Sequence, residues 1–306
     1  MSRLREHADD YLRLRRALGF KLQEHGRLLP QLVAYLEAAG AATVTSELAI
    51  AWARLPEDAQ PIYWAHRLSV ARRFAAYMKT IDPATELPPR DVFDTRQRRP
   101  TPCLWSREEV GRLLEAARAL RPPLRDASYE ALFGLLAVSG MRVGEAIALS
   151  RDDVDLADGV IMIAEAKFSR SRLVPLDQSA TEALRRYAAR RDYLCPRPKS
   201  QAFFLSAASR QMTYSQARAT FVALTTAIGM RTEALRPRLH GLRHSFAVAT
   251  LVRWQRSATD VAVGMPALSD YLGHVHPAGT YWYLSATPEL MGLAAERLDE
   301  RFGVSP

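Results

Sequence analysis

The sequence predicts a mainly α-helical protein in two parts: a helical N-terminal domain over residues 1–90 and a mostly helical α+β domain over residues 104–306. Three observations predict it. Apolar residues recur at helical spacing through the N-terminal part, a proline- and arginine-rich stretch then breaks the pattern, and beyond it capped helices surround one short hairpin. A chain of 306 residues is long enough for two domains, and at 48% hydrophobic residues it can build a core for each.

In the first domain, Tyr11, Leu14, Leu18 and Phe20 form an apolar stripe with Gly19 as its stop. Leu28, Leu29, Leu32, Val33 and Leu36 repeat at helical spacing up to Gly40. Thr45 or Ser46 caps a third helix through Ile50 and Trp52, closed by Pro56. A fourth runs from Ile62 to Lys79. It carries Arg67, Arg72, Arg73 and Lys79, interleaved with Tyr63, Trp64, Phe74 and Tyr77. That face is either a solvated basic rim or a set of phosphate contacts. From Asp82 to Pro102 prolines 83, 88, 89, 100 and 102 break helices, and Arg90, Arg96, Arg98 and Arg99 add charge. Residues 91–103 are assigned as the interdomain linker.

In the second domain, Ser106-Arg107-Glu108-Glu109 is a capping-box pattern that opens a helix. A buried helix over Tyr129–Val138 ends at Ser139-Gly140-Met141-Arg142-Val143-Gly144-Glu145. Val160–Ile163 and Arg172–Leu176 pair as a hairpin with Lys167–Ser171 in its turn, and Phe203–Leu205 is a candidate third strand. Ser179-Ala180-Thr181-Glu182 and Thr213-Tyr214-Ser215-Gln216 each cap a helix, and Thr287–Phe302 forms the last one.

The charge is +9, from 42 basic and 33 acidic residues, and the pI is about 9.8, a balance that suits a polyanionic partner such as DNA or RNA. There is no apolar run long enough to span a membrane, and the opening Met-Ser-Arg-Leu-Arg-Glu-His lacks the apolar core of a secretion signal, so a cytoplasmic protein is expected. Cys103 and Cys195 match no zinc or redox spacing.

The chemistry gathers between Leu239 and Tyr283. His240, His244, His274 and His276 are four of the seven histidines, Arg243 lies among them, and Tyr283 follows His274 by nine residues. An arginine holds two phosphate oxygens in a planar fork, a histidine moves a proton near neutral pH, and a tyrosine can be a covalent nucleophile. His240 and His244 could share a metal on one helical face. No glutamate lies between them and no acidic third ligand is evident, so no metal is expected.

Taken together these pieces resemble the catalytic domain of tyrosine recombinases, the phage integrase family. The resemblance covers Leu104 to the C-terminus, with the helical N-terminal part in the place of that family's SAM-like core-binding domain. Gly140-Met141-Arg142-Val143-Gly144-Glu145 is similar to the segment with the first catalytic arginine and the acidic residue three positions on. Lys167 sits where the family has its hairpin lysine. His240-Gly241-Leu242-Arg243-His244 matches the His-x-x-Arg box and Leu272-Gly273-His274 the Leu-Gly-His box. Tyr283 stands at the spacing of the nucleophile, which favours it over Tyr281.

The resemblance implies a site-specific DNA recombinase acting through a 3′-phosphotyrosyl intermediate without metal, ATP or other cofactor. Arg142 and Arg243 would grip the scissile phosphate and Tyr283 would attack. His240 would be the base or proton relay, Lys167 would protonate the leaving oxygen, and His274 would donate to phosphate. Glu145 would orient the basic groups, and His244 would be a structural hydrogen-bonding residue. Arg67, Arg72, Arg73, Lys79, Arg98, Arg99, Arg170 and Arg172 are candidate DNA contacts. The partners implied are double-stranded recombination sites gripped by a two-domain clamp. The protein is expected to be a monomer when free and a homotetramer on two sites, with a partner recombinase or a DNA-bending protein left open. The last helix, with Met291, Leu293, Ala294 and Leu298 as its stripe, docks either on a neighbouring protomer or on its own domain. A type IB topoisomerase-like enzyme, a non-catalytic DNA-binding protein of the same fold and an RNA-binding protein are the alternatives.

Overall fold

The computed structural model describes residues 3–94, 103–166, 170–257, 260–274, 276, 278–285, 290–292 and 295–296. Its chain divides into two compact units, Met1–Arg99 and Pro100–Pro306.

The first unit is four helices, α1 (Arg3–Ala17), α2 (Gln23–Ala38), α3 (Ser46–Arg54) and α4 (Pro61–Met78). Leu28, Leu29, Leu32, Val33 and Leu36 line the buried face of α2 and pack with Tyr11, Trp52 and Phe74. Thr45 caps α3, its side chain accepting from the Leu48 amide at 3.3 Å. The stripe of α1 differs from the one expected. Leu4, Ala8, Tyr11 and Leu12 are buried, whereas Leu14, Leu18 and Phe20 are exposed. The helix stops at Ala17, so Leu18 and Phe20 lie past its end, and Arg15 stacks 3.9 Å from the Phe20 ring.

Arg67 departs from its expected place on a DNA-facing rim. It is 5% exposed, donates to the Trp52 carbonyl at 2.8 Å and lies 4.0 Å over the Trp52 ring. It faces inward and joins α4 to α3. Arg72 donates to the Pro88 carbonyl, while Arg73 and Lys79 are exposed.

The second unit opens with α5 (Arg107–Arg118), where Ser106 and Glu109 form a capping box, and continues into α6 (Pro123–Ser139) and α7 (Val143–Ala148). Strands β1 (Val154–Asp155), β2 (Val160–Ala166) and β3 (Arg170–Pro175) form an antiparallel sheet in that order, with Ile163 opposite Arg172 and an irregularity between Ile163 and Ala166. Ile161, Ile163 and Val174 are buried while Met162 and Leu173 are exposed, the alternation of a sheet with one covered face. The third strand is therefore Val154–Asp155. Phe203–Leu205 is buried, but around it the backbone makes only isolated bridges, Ser150 with Ala202 and Leu205 with Gln211. Its aromatic rings pack on Tyr187 instead.

Then come α8 (Gln178–Leu194), α9 (Tyr214–Ala227), α10 (His240–Arg256), α11 (Val261–Leu272) and the short α12 (Ala278–Tyr281), which runs into a 3-10 turn at Trp282–Ser285. The cap of α8 is Asp177, accepting from the Ala180 amide at 2.9 Å, rather than Ser179, whose hydroxyl donates to Asp177. Thr213 and Gln216 form the capping box of α9. One core cluster centres on Phe133, Phe204 and Phe221; a second joins Ala247, Leu251, Met265, Leu268 and Leu272 to Tyr283. The expected C-terminal helix over Thr287–Phe302 lies mostly outside the described residues. No helix among the described residues is long and apolar enough to cross a membrane.

Candidate active site

The site is assembled where α6 ends. Gly140 adopts φ +59°, and a Cβ there would meet Phe246 at 2.5 Å, so both backbone and packing require glycine. This turn sends the chain into α7 with Arg142 at its N-cap. Glu145, one turn on, reaches back: its carboxylate accepts from the Arg142 amide at 3.0 Å and from Arg142 Nη1 at 2.7 Å. Arg142 Nη2 donates to the Gly273 carbonyl at 2.6 Å.

Arg172 on β3 approaches Glu145 from the other side. Its Nη2 and Nη1 donate to the two carboxylate oxygens at 2.7 and 3.2 Å, and its Nε donates to the Tyr271 carbonyl at 2.9 Å. Burial opposes ionisation of Glu145, but the hydrogen bonds from Arg172 and Arg142 outweigh it and hold the carboxyl below its usual range. Arg172, expected as a DNA contact, is thus a nearly buried strut whose fork is occupied by Glu145.

Arg243, on the first turn of α10, is 2% exposed. Nη1 donates to the Gly140 carbonyl and Nη2 to the Leu272 carbonyl, both at 2.7 Å. Burial and then the neighbouring Arg142 charge pull its pKa down to about 10, so it remains a cation at neutral pH. The ends of α6 and α11 therefore converge on the two guanidinium groups through three carbonyls, those of Gly140, Leu272 and Gly273.

Gly273 makes that convergence possible. It ends α11 in the left-handed region at φ +68°, and a Cβ there would meet Arg172 Nη1 at 2.5 Å. His274 follows, its Nδ1 within 2.6 Å of the Thr280 hydroxyl. Burial, then the charges of Arg243 and Arg142, push its pKa down to about 4. His240 stands at the exposed start of α10, yet the protein packed beneath it, and after that Arg243 and Arg142, also lower its pKa.

Tyr283 is buried, at 2% exposed, and its phenol lies 3.0 Å from Nδ1 of His244. The His274 ring is stacked near-parallel to it at 6.2 Å, and Trp282 packs against both Tyr283 and His244 at 5.3 Å. His240 meets His244 edge-to-face at 4.5 Å. The imidazole on the phenol is thus His244, and His240, expected as the base or proton relay, has its ring on that of His244. Tyr281 is exposed.

The structure brings together Arg142, Glu145, His240, Arg243, His244, His274 and Tyr283. Lys167, Arg98, Arg99 and the Arg170 side chain lie outside the described residues. Sequence reasoning did not single out the inward role of Arg172 or the hold of Thr280 on His274; the second had a signal in the six-residue separation of the two. Among the described residues no group of three or more His, Cys, Asp or Glu is placed to hold a metal ion.

Comparison with known proteins gives the same direction. The profile of the phage integrase family matches residues 105–289. The y4rB integrase/recombinase of Sinorhizobium fredii is 44% identical over 310 aligned positions, covering 99% of each chain. Tyrosine recombinase XerC of Alcanivorax borkumensis is 28% identical over 218 positions, covering 71% of this chain and 66% of its own. The fold is similar to that of the Tn1549 transposon integrase, solved in complex with transposon right end DNA, at a TM-score of 0.65 and 16% identity, over 97% of this chain and 99% of that one.

Proposed function

The chain belongs to the phage integrase family of tyrosine recombinases, and we propose that it cuts and rejoins specific DNA sites through a 3′-phosphotyrosyl bond to Tyr283. The observation that carries this reading is the placing of two guanidinium groups around one set of carbonyls, with the buried phenol of Tyr283 close enough to Arg243 for their charges to interact. Arg142 and Arg243 supply fixed positive charge for the non-bridging oxygens of a scissile phosphate. Such preorganised charge is worth most where extra negative charge develops in the pentacoordinate transition state.

The Tyr283 oxygen attacks phosphorus, the bond to the 5′ oxygen breaks, and the energy of the phosphodiester is kept in the new ester. A second DNA end can then displace the tyrosine. His274 donates to a phosphate oxygen. It suits that role because its low pKa leaves it neutral, and a Thr280 hydroxyl donating to Nδ1 leaves the proton on Nε2. His240 stands at the open edge of the site, within reach of an entering phosphate. Lys167 protonates the leaving oxygen, an assignment that rests on its place in the hairpin turn. No metal or nucleotide takes part in this scheme.

The substrate is double-stranded DNA, consistent with the basic balance of the chain. The helical unit in the place of the core-binding domain contributes phosphate contacts through Arg73 and Lys79. Recombination would join two sites under a homotetramer assembled from free monomers, in the service of a mobile element. Because Tyr283 is buried, DNA entry has to bring phenol and phosphate together.

The test is a suicide substrate, nicked beside a candidate site taken from the DNA flanking the gene. The expected product is a detergent-stable protein–DNA adduct that mass spectrometry maps to Tyr283. Tyr283→Phe should form none while binding the same DNA as well as wild type, since only the phenol oxygen is lost. An adduct on Tyr281 would move the nucleophile. Supercoil relaxation on plasmid lacking the site would point to a topoisomerase, and tight binding without any adduct to a binding protein.

A further inference from the structure

We infer that His244 is the group that takes the phenolic proton of Tyr283 during cleavage and returns it during resealing. The inference rests on the covalent-tyrosine reading above and names a residue for a step which that reading leaves without one. A phenol ionises near pH 10, so at neutral pH its oxygen attacks only as its proton leaves. The acceptor must lie within hydrogen-bond reach.

His244 meets that condition, with Nδ1 at 3.0 Å from the phenol oxygen. Tyr283 is 2% exposed, which leaves bulk water little access to the same proton. Its neighbour His274 lies in a near-parallel ring stack and has its Nδ1 on Thr280. His240 stands one helical turn before His244, at the exposed start of α10, with its ring edge-to-face on that of His244. Trp282 packs against both members of the pair and fixes the approach of imidazole to phenol.

The step balances as follows. The tyrosine oxygen forms its bond to phosphorus and the phosphorus–5′-oxygen bond breaks. The phenolic proton moves to Nδ1 of a neutral imidazole that already carries a proton on Nε2, giving an imidazolium. The 5′ oxygen takes its proton from the general acid, Lys167 in the reading above. Resealing runs the same transfers in reverse. Among the described residues the charged groups near the pair are Arg243 on α10, Arg142 at the start of α7 and Arg172 with its partner Glu145, and the titratable rings beside it are His240 and His274, both held towards the neutral form. The net positive field of the three arginines favours the phenolate that develops.

The experiment compares single-turnover adduct formation by wild type, His244→Gln, His244→Asn and Lys167→Ala. Two suicide substrates are used, one with the natural 5′ oxygen at the scissile bond and one with a bridging sulfur. Sulfur leaves without needing a proton, so it rescues loss of a general acid but not loss of the nucleophile's base. We expect both His244 variants to lose about 100-fold or more in rate near neutral pH, the usual size of general-base catalysis. Neither should recover on the sulfur substrate, which should restore Lys167→Ala. Both should recover progressively as pH is raised towards the phenol pKa of about 10. DNA binding and thermal melting should stay as in wild type.

Wild-type rates in either His244 variant would overturn the inference, as would recovery on the sulfur substrate. A loss that is the same at every pH would assign His244 a packing role only. Failure of wild type itself to form an adduct would count against the recombinase reading instead, so the two failures are separable.

Discussion

Arg243 keeps its charge in a place that penalises charge. Burial and a neighbouring guanidinium pull its pKa only to about 10, so it stays ionised, and two backbone carbonyls satisfy two of its five N–H groups. Its Nε is buried without a partner among the described residues, a donor that the scissile phosphate of the proposed reaction would have to satisfy. His274 goes the other way and gives up its charge. Its folded-state pKa of about 4 lies below the usual histidine value of about 6.5, and His240 is shifted in the same direction. In that window the unfolded chain binds more protons than the folded one, so stability rises with pH across it and falls as pH drops from about 6.5 towards about 4. Thermal melting followed across this range should show the loss, and His274→Gln should flatten it. An unchanged slope in His274→Gln would mean that His274 is not the group responsible.

The element that governs the site is the end of α11. Gly273 closes the helix in the left-handed region, its carbonyl holds Arg142, and the Leu272 carbonyl before it holds Arg243. Gly273→Ala would strain the backbone by about 1–3 kcal/mol and drive a methyl group into the Arg172 guanidinium. A denaturant titration should read that loss, and adduct formation should fall further than stability does, because Arg172 can then no longer brace Glu145. Much of this scale is legible in the sequence. The face of α2 and the capping boxes at Ser106 and Thr213 follow from residue type at fixed spacing, as does the Gly140 turn. The rest depends on distant partners. Strand β1 is two residues long and carries no period of its own. Asp177 and Ser179 are both good caps two positions apart, and only the folded chain shows Ser179 donating to Asp177. His244 is visible as a histidine one turn from His240, but its bond to the phenol joins residues 39 positions apart.

Across the whole molecule a net charge of +9 invites a simple electrostatic account, in which every arginine and lysine of the basic stretches helps to hold DNA. The structure divides those charges. Arg67 and Arg172 are spent internally, on Trp52 and on Glu145, whereas Arg73 and Lys79 remain at the surface. In the sequence all four read alike, since arginine and lysine are usually exposed and burial depends on a partner elsewhere in the chain. The division sets opposite expectations for substitution. Each phosphate contact that releases a counterion adds about 0.9 to the slope of log affinity against log salt, so Arg73→Ala and Lys79→Ala should each flatten that slope by about 1. Arg67→Ala should leave the slope where it is. It should instead destabilise the helical unit by about 2 kcal/mol, through loss of a charged hydrogen bond and of the contact with the Trp52 ring. Binding titrations from low to moderate salt, paired with melting of the same three variants, decide it. A reduced slope in Arg67→Ala without loss of stability would mean that this arginine turns outward to the DNA after all.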